Sequence, residues 1–528
     1  MIFERIMGTE TEFGVICPEK PSANESVLST LVVDSYPHAA AEAGWDYESE
    51  SPLDDARGFN MGLSEAHPSQ LTHQGHVLTS EDIAREAFED TPGMLNRSFW
   101  DRAVMNRVLP NGARLYVDHA HPEYSAPETT NPWDAIAWDL AGDRVAAAAA
   151  SSVQGRYGDS WPEAIYLYKN NTDNKSVSYG AHENYLVPRS VNFRHLARHL
   201  MPYLATRQVI TGAGRAGIGA VDVRPGFQIS QRADFFEREI GLETTIRRPI
   251  VNTRDEPHAD PDRFRRLHVI TGDSNLSHTS NLLKLASAAA VLTLIEHDAV
   301  PDIQLADPVQ AMRRTSHDLG LQELLELKDG RRMTALEIQR AYAEAALDLA
   351  DRKGWRDEPS EKIFRIWFEV LDGLQKDVLS MADRLDWVAK LALIRQYQDR
   401  GVDIASPKIQ ALDLQYADLR PSKSLYSKLV SLGRMKTLIP QDRIDAAAVE
   451  PPADTRAFLR GKLLGRWPHQ IQSAGWDVLT VADPHTDRRH RWLMDDPERW
   501  TRSETDRVIA SSQSAHQALS KLGLRKIQ

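Results

Sequence analysis

Length is the feature that most limits how this chain can fold. Its 528 residues exceed what one ordinary hydrophobic core encloses, so we expect several domains, or one large enzyme domain with an appendage. The polar, proline-containing segment at 445–456 is typical of a linker or loop. The region after it carries tryptophans that can build a small core: Trp467, Trp476 and Trp492. We therefore predict a large domain over 1–425 and a small C-terminal domain over 426–528.

Strand-like segments occupy the first part of the large domain, and helix-forming sequence follows them. The predicted strands lie at 3–16, 113–118, 164–169, 176–187, 219–229 and 266–271. A helix is predicted at 133–153, where an alanine run favours it, and 280–401 is rich in helices. Residues 37–111 are polar and contain several glycines and histidines. We expect a loop insertion there, at about 37–80, followed by a helix at 80–89.

Charge and cysteine content limit the cellular context. The chain has 63 basic and 75 acidic residues, a net charge of −12, which argues against nucleic acid as a partner. Cys17 is the single cysteine, so no intramolecular disulfide can form. The N-terminal residues are charged where a signal peptide is apolar. The apolar segment 282–295 contains Lys284 and is too short for a bilayer, which indicates a buried helix. We expect a soluble cytoplasmic protein without a membrane partner.

Two glutamates lie two positions apart in the first predicted strand. Side chains alternate along a strand, so Glu10 and Glu12 share one face. Adjacent carboxylates repel each other unless a cation lies between them, and a divalent metal site with oxygen ligands is one interpretation. A solvent-facing edge strand is the other interpretation, and the pair alone favours it.

Further polar groups follow in two later segments. In LYVDHAHPEYS, Tyr116 and Asp118 share a strand face, and Glu123 follows a turn at Pro122. Asp118 is placed to project into a cleft, although capping of the turn is an equally ordinary role. In GAHENYL, His182 precedes a strand, and a single histidine is more often structural than a ligand.

Arginines end two strand-like runs and suggest an anion site. Arg232 and Arg254 carry guanidinium groups that match phosphate oxygens, although each alone is as consistent with a surface ion pair. His268 begins a strand that leads into a GDSN turn. The sequence lacks the phosphate-binding GxxxxGK[ST] loop. Metal and arginines on a sheet would therefore have to hold any nucleotide.

Six motifs in this order resemble one family. GTETEFG, LYVDHAHPEYSAPE, GAHENYL, SQRADFF, NTRDEPH and LHVITGDSN are similar to the family of the Pup ligase and the Pup deamidase/depupylase. Pup is a small prokaryotic protein tag, and the family belongs to the carboxylate-amine ligases related to glutamine synthetase. The resemblance implies an α+β fold: a glutamine-synthetase-like curved, mostly antiparallel sheet flanked by helices, with a small C-terminal domain. The large domain would be catalytic.

The resemblance also implies roles for the residues singled out above, with ATP and Mg²⁺ as cofactors. Asp118 matches the catalytic aspartate. The metal-binding positions are Glu10, Glu12, Glu123 and His182. The nucleotide-site positions are Arg232, Arg254, His268 and Tyr116.

Three features favour the hydrolase over the ligase. The opening is GTETEFG, where the ligase has a pattern closer to GIENEYG. The aspartate motif is DHAHPEYS, where the ligase has a DVGSHPEYAT-like segment, and PLDDARGF resembles a loop that distinguishes the depupylase. The implied activity is hydrolysis of the C-terminal glutamine amide of Pup and of the Pup–lysine isopeptide bond. Asp118 would act as nucleophile or general base, and ATP need not turn over.

Three alternatives remain: the Pup–protein ligase, a small-molecule carboxylate-amine ligase, and an inactive binding protein. The implied partners are Pup and pupylated proteins, and the proteasomal ATPase is a further candidate. Because Pup is acidic, we expect a local basic groove in this acidic chain. The candidate groove residues are Arg247, Arg248, Arg263, Arg265 and Arg266.

Overall fold

The chain folds into a central antiparallel sheet flanked by helices, with a smaller sheet formed mainly by C-terminal residues. The computed structural model describes residues 1–38, 43–48, 50–62, 104–172, 178–218, 225–483, 486 and 488–527. The predicted α+β class with a mostly antiparallel sheet is confirmed. The helix predicted at 80–89 and most of the predicted loop insertion lie outside the described residues.

The strands, in chain order, are β1 Met7–Glu12, β2 Gly14–Ile16, β3 Gly44–Trp45, β4 Asp54–Asp55, β5 Phe59–Asn60, β6 Asn106–Val108, β7 Arg114–Asp118, β8 His121–Ser125, β9 Tyr166–Tyr168, β10 Ala181–Pro188, β11 Arg215–Gly217, β12 Gly226–Gln228, β13 Phe236–Gly241, β14 Arg248–Asn252, β15 Phe264–Val269, β16 Leu324–Glu326, β17 Arg332–Thr334, β18 Ile471–Ala474, β19 Val478–Ala482, β20 Arg489–Leu493 and β21 Arg525–Lys526.

The α-helices are α1 Glu25–Asp34, α2 Pro132–Tyr157, α3 Phe193–Thr206, α4 Gln208–Thr211, α5 His278–Glu296, α6 Pro308–His317, α7 Ala335–Lys353, α8 Glu358–Lys376, α9 Asp386–Gln398, α10 Pro407–Tyr416, α11 Leu425–Ser431, α12 Gln441–Ala447, α13 Ala457–Arg466, α14 Arg502–Ala510 and α15 Ala515–Lys521.

The central sheet has the strand order β15-β10-β1-β8-β7-β6, and all neighbouring strands are antiparallel. On β1, Thr9 hydrogen-bonds to Asp139 of α2, so the odd-numbered residues face the helices. Because side chains alternate, Glu10 and Glu12 face the opposite side. The sheet therefore has one face packed against helices and one face that carries carboxylates.

Helix α2 covers the sheet and extends beyond its predicted bounds. Asn131 caps its N-terminus by accepting a hydrogen bond from the Asp134 amide, and Pro132 occupies the first turn, where no amide donor is needed. A Cβ atom on Gly142 would lie 2.4 Å from the Tyr124 ring. The glycine thus allows the helix to pack closely on β8.

Helix α5 is the buried helix predicted from the apolar segment 282–295. Its residues from His278 to Ile295 are all buried. Lys284, the charge within it, donates a hydrogen bond from Nζ to the Asp273 carbonyl oxygen at 3.1 Å. Within the part of the chain that the structure describes, no helix has both the length and the apolar content needed to cross a membrane.

A second hydrophobic core lies in the C-terminal region. It combines Leu459 and Trp492 with Trp45 and Val108 from far earlier in the chain. Its sheet has the order β21-β20-β19-β18-β3, and β3 pairs in parallel with β18. The main core includes residues up to Ala447 of α12. The domain division predicted at 425/426 stays a prediction. Residues of α12 pack in the main core, and residues of α13 pack in the second core.

Candidate active site

Strand register brings the predicted metal ligands together. Glu12 lies opposite Glu123 of β8, and Glu10 lies opposite His182 of β10. On the next strand, Tyr116 lies opposite Glu123. These residues come from four strands spread over more than 170 positions of the chain, and they share the face of the sheet that the helices leave uncovered.

Three carboxylates form one compact group at the end of β7. Oxygen atoms of Glu12, Asp118 and Glu123 all lie within 4.8 Å of one another. Burial, and then the charge of Asp118, raise the pKa of Glu12 to about 7. Burial and the same neighbouring charge raise the pKa of Glu123 well above its usual value. Carboxylates this close hold their full charge only beside a cation, so the group is suited to a hard divalent ion.

A second group lies beside the first and contains histidine. Ligand atoms of Glu10, His182 and His268 lie within 4.8 Å of one another. His182 Nδ1 is 3.3 Å from a Glu10 carboxylate oxygen. Burial opposes ionisation of Glu10, but the hydrogen bond with His182 and the charges of His268, Arg266 and His182 together outweigh it and hold the pKa of Glu10 well below its usual value. Burial lowers the pKa of both histidines, so both rings are neutral near pH 7 and offer lone pairs to a metal.

Asp118 ends β7 and differs from its two carboxylate neighbours. Burial alone would raise the pKa of Asp118, but the charge and hydrogen bond of His119 outweigh burial and hold it below its usual value. His119 Nδ1 lies 3.1 Å from Asp118 Oδ2, and the His119 backbone has a positive φ of 52°. On the other side of the turn, His121 Nδ1 is 3.5 Å from Glu12 Oε2. Asp118 is therefore the carboxylate most readily ionised within its group of three.

The cleft beside these groups is also lined by arginines. Arg114 stacks on the Tyr116 ring, with its guanidinium carbon 3.8 Å from the ring centroid. Arg266 donates to the Glu256 carbonyl oxygen at 2.8 Å and to Asn184 Oδ1 at 2.8 Å. Arg254 lines the same cleft, and its buried Nε atom has no hydrogen-bond partner among the residues described. A buried donor without a partner is a candidate contact for an anionic ligand.

The predicted nucleotide residues occupy different depths. Arg254, His268 and Tyr116 line the cleft. Arg232 is 1% exposed, and its Nη1 donates to the backbone carbonyl oxygens of Ile270 and Gly272 at 2.6 and 3.1 Å. Burial, and then the charge of Arg248, lower the pKa of Arg232 to about 9.

Several cleft residues are missing from the residues predicted for the site. They are Glu50, Arg114, Asn184, Glu256, His258 and Trp476. Asn184 carried a signal, because it lies two positions after His182 on one strand and must share its face. Trp476 carried no such signal, since the fold brings it to the cleft from the C-terminal region.

The predicted basic groove is wrong as a surface cluster. Arg248, Arg265 and Arg266 are each less than 10% exposed. Arg263 is exposed but pairs with Asp496 at 2.9 Å. Neighbouring residues on a strand point to opposite faces, so adjacent arginines in sequence do not form one patch.

The chain belongs to the Pup-ligase protein family, because the family model matches residues 5–480. It is 44% identical over 529 residues to a protein named Depupylase from Acidothermus cellulolyticus, with 98% of this chain and 99% of the relative covered. A Pup deamidase/depupylase from Mycobacterium tuberculosis is 42% identical over 530 residues, with the same coverage. A Pup–protein ligase from Acidimicrobium ferrooxidans is 36% identical over 458 residues, covering 85% of this chain and 98% of the relative.

Solved structures of the family are also similar. The crystal structure of the complex between the prokaryotic ubiquitin-like protein Pup and its ligase PafA has a TM-score of 0.72 and 31% identity, covering 98% of this chain and 92% of that chain. The structure of the Pup ligase PafA in complex with ADP has a TM-score of 0.70 and 35% identity, covering 85% and 96%. The family resemblance indicated by the six motifs is confirmed.

Proposed function

We propose that this chain hydrolyses the side-chain amide of a C-terminal glutamine on Pup and the isopeptide bond between Pup and a lysine. The observation that carries this proposal is the 42–44% identity, over 98% of the chain, to relatives named Depupylase and Pup deamidase/depupylase. Identity to the ligase relative is 36% over 85% of the chain. The substrates are therefore Pup and pupylated proteins, and the proteasomal ATPase is a candidate partner.

Asp118 is the proposed catalytic group. As a nucleophile it would attack the amide carbon, and as a general base it would take a proton from the attacking water. Both roles need an ionised carboxylate, and His119 favours that state by holding the pKa of Asp118 below its usual value. The cleft position and the charge state support the assignment and are equally consistent with either role.

Mg²⁺ is the proposed metal. The group of Glu12, Asp118 and Glu123 offers the hard oxygen donors that this ion prefers, and Glu10 adds a further carboxylate beside them. The bound ion would neutralise these carboxylates and polarise the scissile carbonyl. His182 is proposed at the edge of the same site, where its neutral ring can coordinate the ion or orient Glu10.

ATP is the proposed nucleotide. Arg254 offers a buried Nε donor without a partner among the described residues, and Arg114 and Arg266 line the same cleft. A mainly apolar pocket adjoins the cleft and shares Trp476 and Arg266 with it, which suits a base and its phosphates side by side. Arg254 is the stronger candidate for a direct phosphate contact. Arg232 is buried and would act through its charge, which lies on the far side of Glu12 from the cleft.

Ammonia release tests the proposal directly. The purified chain should release ammonia from Pup ending in glutamine when Mg²⁺ and a non-hydrolysable ATP analogue are present. It should also separate Pup from a pupylated protein under the same conditions. Asp329→Asn is a matched control, because this exposed aspartate lies in the turn between β16 and β17. The control should keep full activity.

A parallel assay with hydrolysable ATP, Pup ending in glutamate and a protein substrate separates the hydrolase from the ligase. A ligase would join Pup ending in glutamate to a lysine and consume ATP in doing so. Conjugate formation without ammonia release would overturn the proposal in favour of the ligase. Activity on free amino acids alone would favour a small-molecule carboxylate-amine ligase.

A further inference from the structure

Asn184 lies at the centre of the histidine-containing group but has no role in the chemistry proposed above. It lies on β10, opposite His268 of β15. It is also two residues from His182 and therefore on the same face. Its side chain contacts three polar groups of the cleft, so a substitution there would disturb all three contacts.

The three contacts of Asn184 fix the direction of its amide. Nδ2 donates to Glu10 Oε1 at 2.9 Å, and Oδ1 accepts from Arg266 Nη1 at 2.8 Å. A guanidinium group only donates hydrogen bonds and an ionised carboxylate only accepts them. The opposite amide orientation would place donor against donor and acceptor against acceptor, so the partners allow one orientation.

That orientation determines the proton position on His268. His268 Nδ1 lies 3.0 Å from the same Asn184 oxygen. Because this oxygen accepts, the 3.0 Å contact places a proton on Nδ1 and leaves Nε2 as the nitrogen that can bind a metal. This contact is shorter than the 3.4 Å contact between Nδ1 and Arg266 Nη1, a donor that would favour the other tautomer. Metal-binding histidines are commonly oriented in this way, through a hydrogen bond made by the nitrogen that does not bind the metal.

We propose that Asn184 is a positioning residue that orients Glu10 with its amide nitrogen and selects the His268 tautomer with its amide oxygen. One side chain thereby orients Glu10, a proposed metal ligand, and the His268 ring beside it. The inference rests on the proposed metal site, and it predicts that Asn184 governs metal affinity without touching the substrate.

Direct metal binding tests the inference apart from catalysis. Binding of Mn²⁺ alone to the full chain is followed by the EPR signal of the free ion, and the Mg²⁺ dependence of ammonia release is measured in parallel. Asn184→Leu should weaken Mn²⁺ binding by about 10- to 100-fold and raise the half-saturating Mg²⁺ concentration to the same extent. The rate at saturating Mg²⁺ should fall much less.

Two further variants separate a positioning role from a structural one. Asn184→Asp keeps an acceptor for Arg266 and His268 but loses the donor to Glu10, so its metal affinity should differ from that of Asn184→Leu. Asn111→Ala is the matched control, because Asn111 is buried and hydrogen-bonds to Tyr124 and Ala447 outside the cleft. It should lower the melting temperature without changing Mn²⁺ affinity.

The outcomes distinguish this inference from the metal site on which it rests. Mn²⁺ binding that is lost in Glu10→Gln but unchanged in both Asn184 variants would overturn the role of Asn184 alone. If the wild-type protein binds no Mn²⁺, or if Glu10→Gln does not weaken that binding, the metal site and the inference are both overturned. Equal affinity losses in Asn184→Leu and Asn111→Ala would assign Asn184 a structural role.

Discussion

Three carboxylates lie close together beside the cleft, and their pKa values differ so that Asp118 is the most readily ionised of the three. Asp118 has a pKa below its usual value, while the same burial raises the pKa of Glu12 and Glu123. The charge and hydrogen bond of His119 contribute most to lowering the pKa of Asp118, and the charges of His182 and Arg114 add to them. These neighbours distinguish the proposed catalytic carboxylate from Glu12 and Glu123.

Replacing Asp118 should remove activity without harming the fold. Asp118→Asn keeps the shape but removes the charge needed by a nucleophile or base, so ammonia release should fall by about 10²- to 10⁴-fold. The melting temperature of the metal-free protein should change little, because loss of the favourable contact with His119 is offset by relief of the repulsion between Asp118 and Glu12. Activity assays and thermal melts check both effects. Full activity, with no reversion to aspartate by mass spectrometry, would exclude both catalytic roles.

Gly180 gives a steric test of the same site. A Cβ atom at Gly180 would lie 2.5 Å from Glu12 Oε1 and 2.6 Å from His182 Nε2. Gly180→Ala must displace one of these groups, and activity should fall by about 10- to 100-fold, as expected for a misplacement near 1 Å. Gly155→Ala is the control, since that exposed helical glycine has no neighbour within 4 Å of an added Cβ. It should leave activity unchanged and stabilise α2 by about 1 kcal/mol.

Side chains alternate between the two faces of a strand, and this alternation is a local property. The sequence alone therefore predicted that Glu10 and Glu12 share a face. The sequence could not predict that Arg114 and Arg266 join them. Their positions depend on which strands pair and in which register, and this information is not local. Arg266 was instead grouped with its neighbours in sequence, although strand geometry places it in the cleft.

At the scale of secondary-structure elements, β1 and β2 differ from the single strand predicted at 3–16. The chain leaves the central sheet at Phe13, since β1 pairs with β8 and β10 while β2 pairs with β9. A Cβ atom on Gly14 would lie 2.5 Å from the Tyr179 hydroxyl, so glycine is needed where the strand changes sheets. The glycine was visible in the sequence, but the steric reason for it depends on a residue far along the chain.

Helix α13 is held to the segment that follows β8 by buried ion pairs. Glu128 accepts hydrogen bonds from Arg456 Nε at 2.7 Å and from Arg460 Nη2 at 2.5 Å. Breaking such a pair leaves a buried charge, so Arg460→Ala should destabilise the protein by about 3–5 kcal/mol in denaturant melts. Lys462→Ala on the same helix removes a more exposed pair with Glu450 and should cost no more than about 1 kcal/mol. Equal effects would show that the buried pair contributes little.

The same contact predicts acid sensitivity. Burial opposes ionisation of Glu128, but the charges of Arg460 and Arg456 outweigh it and lower its pKa to about 2. In the unfolded chain this carboxyl binds protons from about pH 4.5 downward, so folding stability is lost as pH falls from there toward 2. The full loss is about 3 kcal/mol. Melting temperatures between pH 6 and 3 should fall less steeply in Glu128→Gln than in the wild type.

At the scale of the whole molecule, the two hydrophobic cores meet at the cleft. Trp45 belongs to the C-terminal core, yet its ring lies 4.1 Å from the guanidinium carbon of Arg114. It also makes an edge-on contact with Trp476 at 5.2 Å between ring centroids. The C-terminal region therefore forms part of the cleft wall. Sequence length predicted a second core, but it could not show that an early segment joins it.

Trp45→Ala should affect both stability and the cleft. Loss of a large buried aromatic side chain should cost about 3–5 kcal/mol in denaturant unfolding. Arg114 loses one of its aromatic stacking partners and keeps Tyr116, so the half-saturating ATP concentration should rise as well. Trp467→Ala serves as control, because Trp467 packs against the same core but does not line the cleft. Unchanged nucleotide dependence in Trp45→Ala would show that the stacking does not position Arg114.

The strand order also determines when the active site can form during synthesis. The second neighbour of β1 is β10, and His268 reaches the cleft only after β15 has left the ribosome. The pairing of β3 with β18 requires nearly the entire chain. At about 5–20 residues per second, the nascent N-terminal strands wait for tens of seconds with unpaired edges. The charged side chains of Glu10 and Glu12 lie on β1 throughout that wait, and such charges on an unpaired strand discourage association with other nascent chains. The acidic pair that serves the finished cleft thus also protects the chain before the cleft exists.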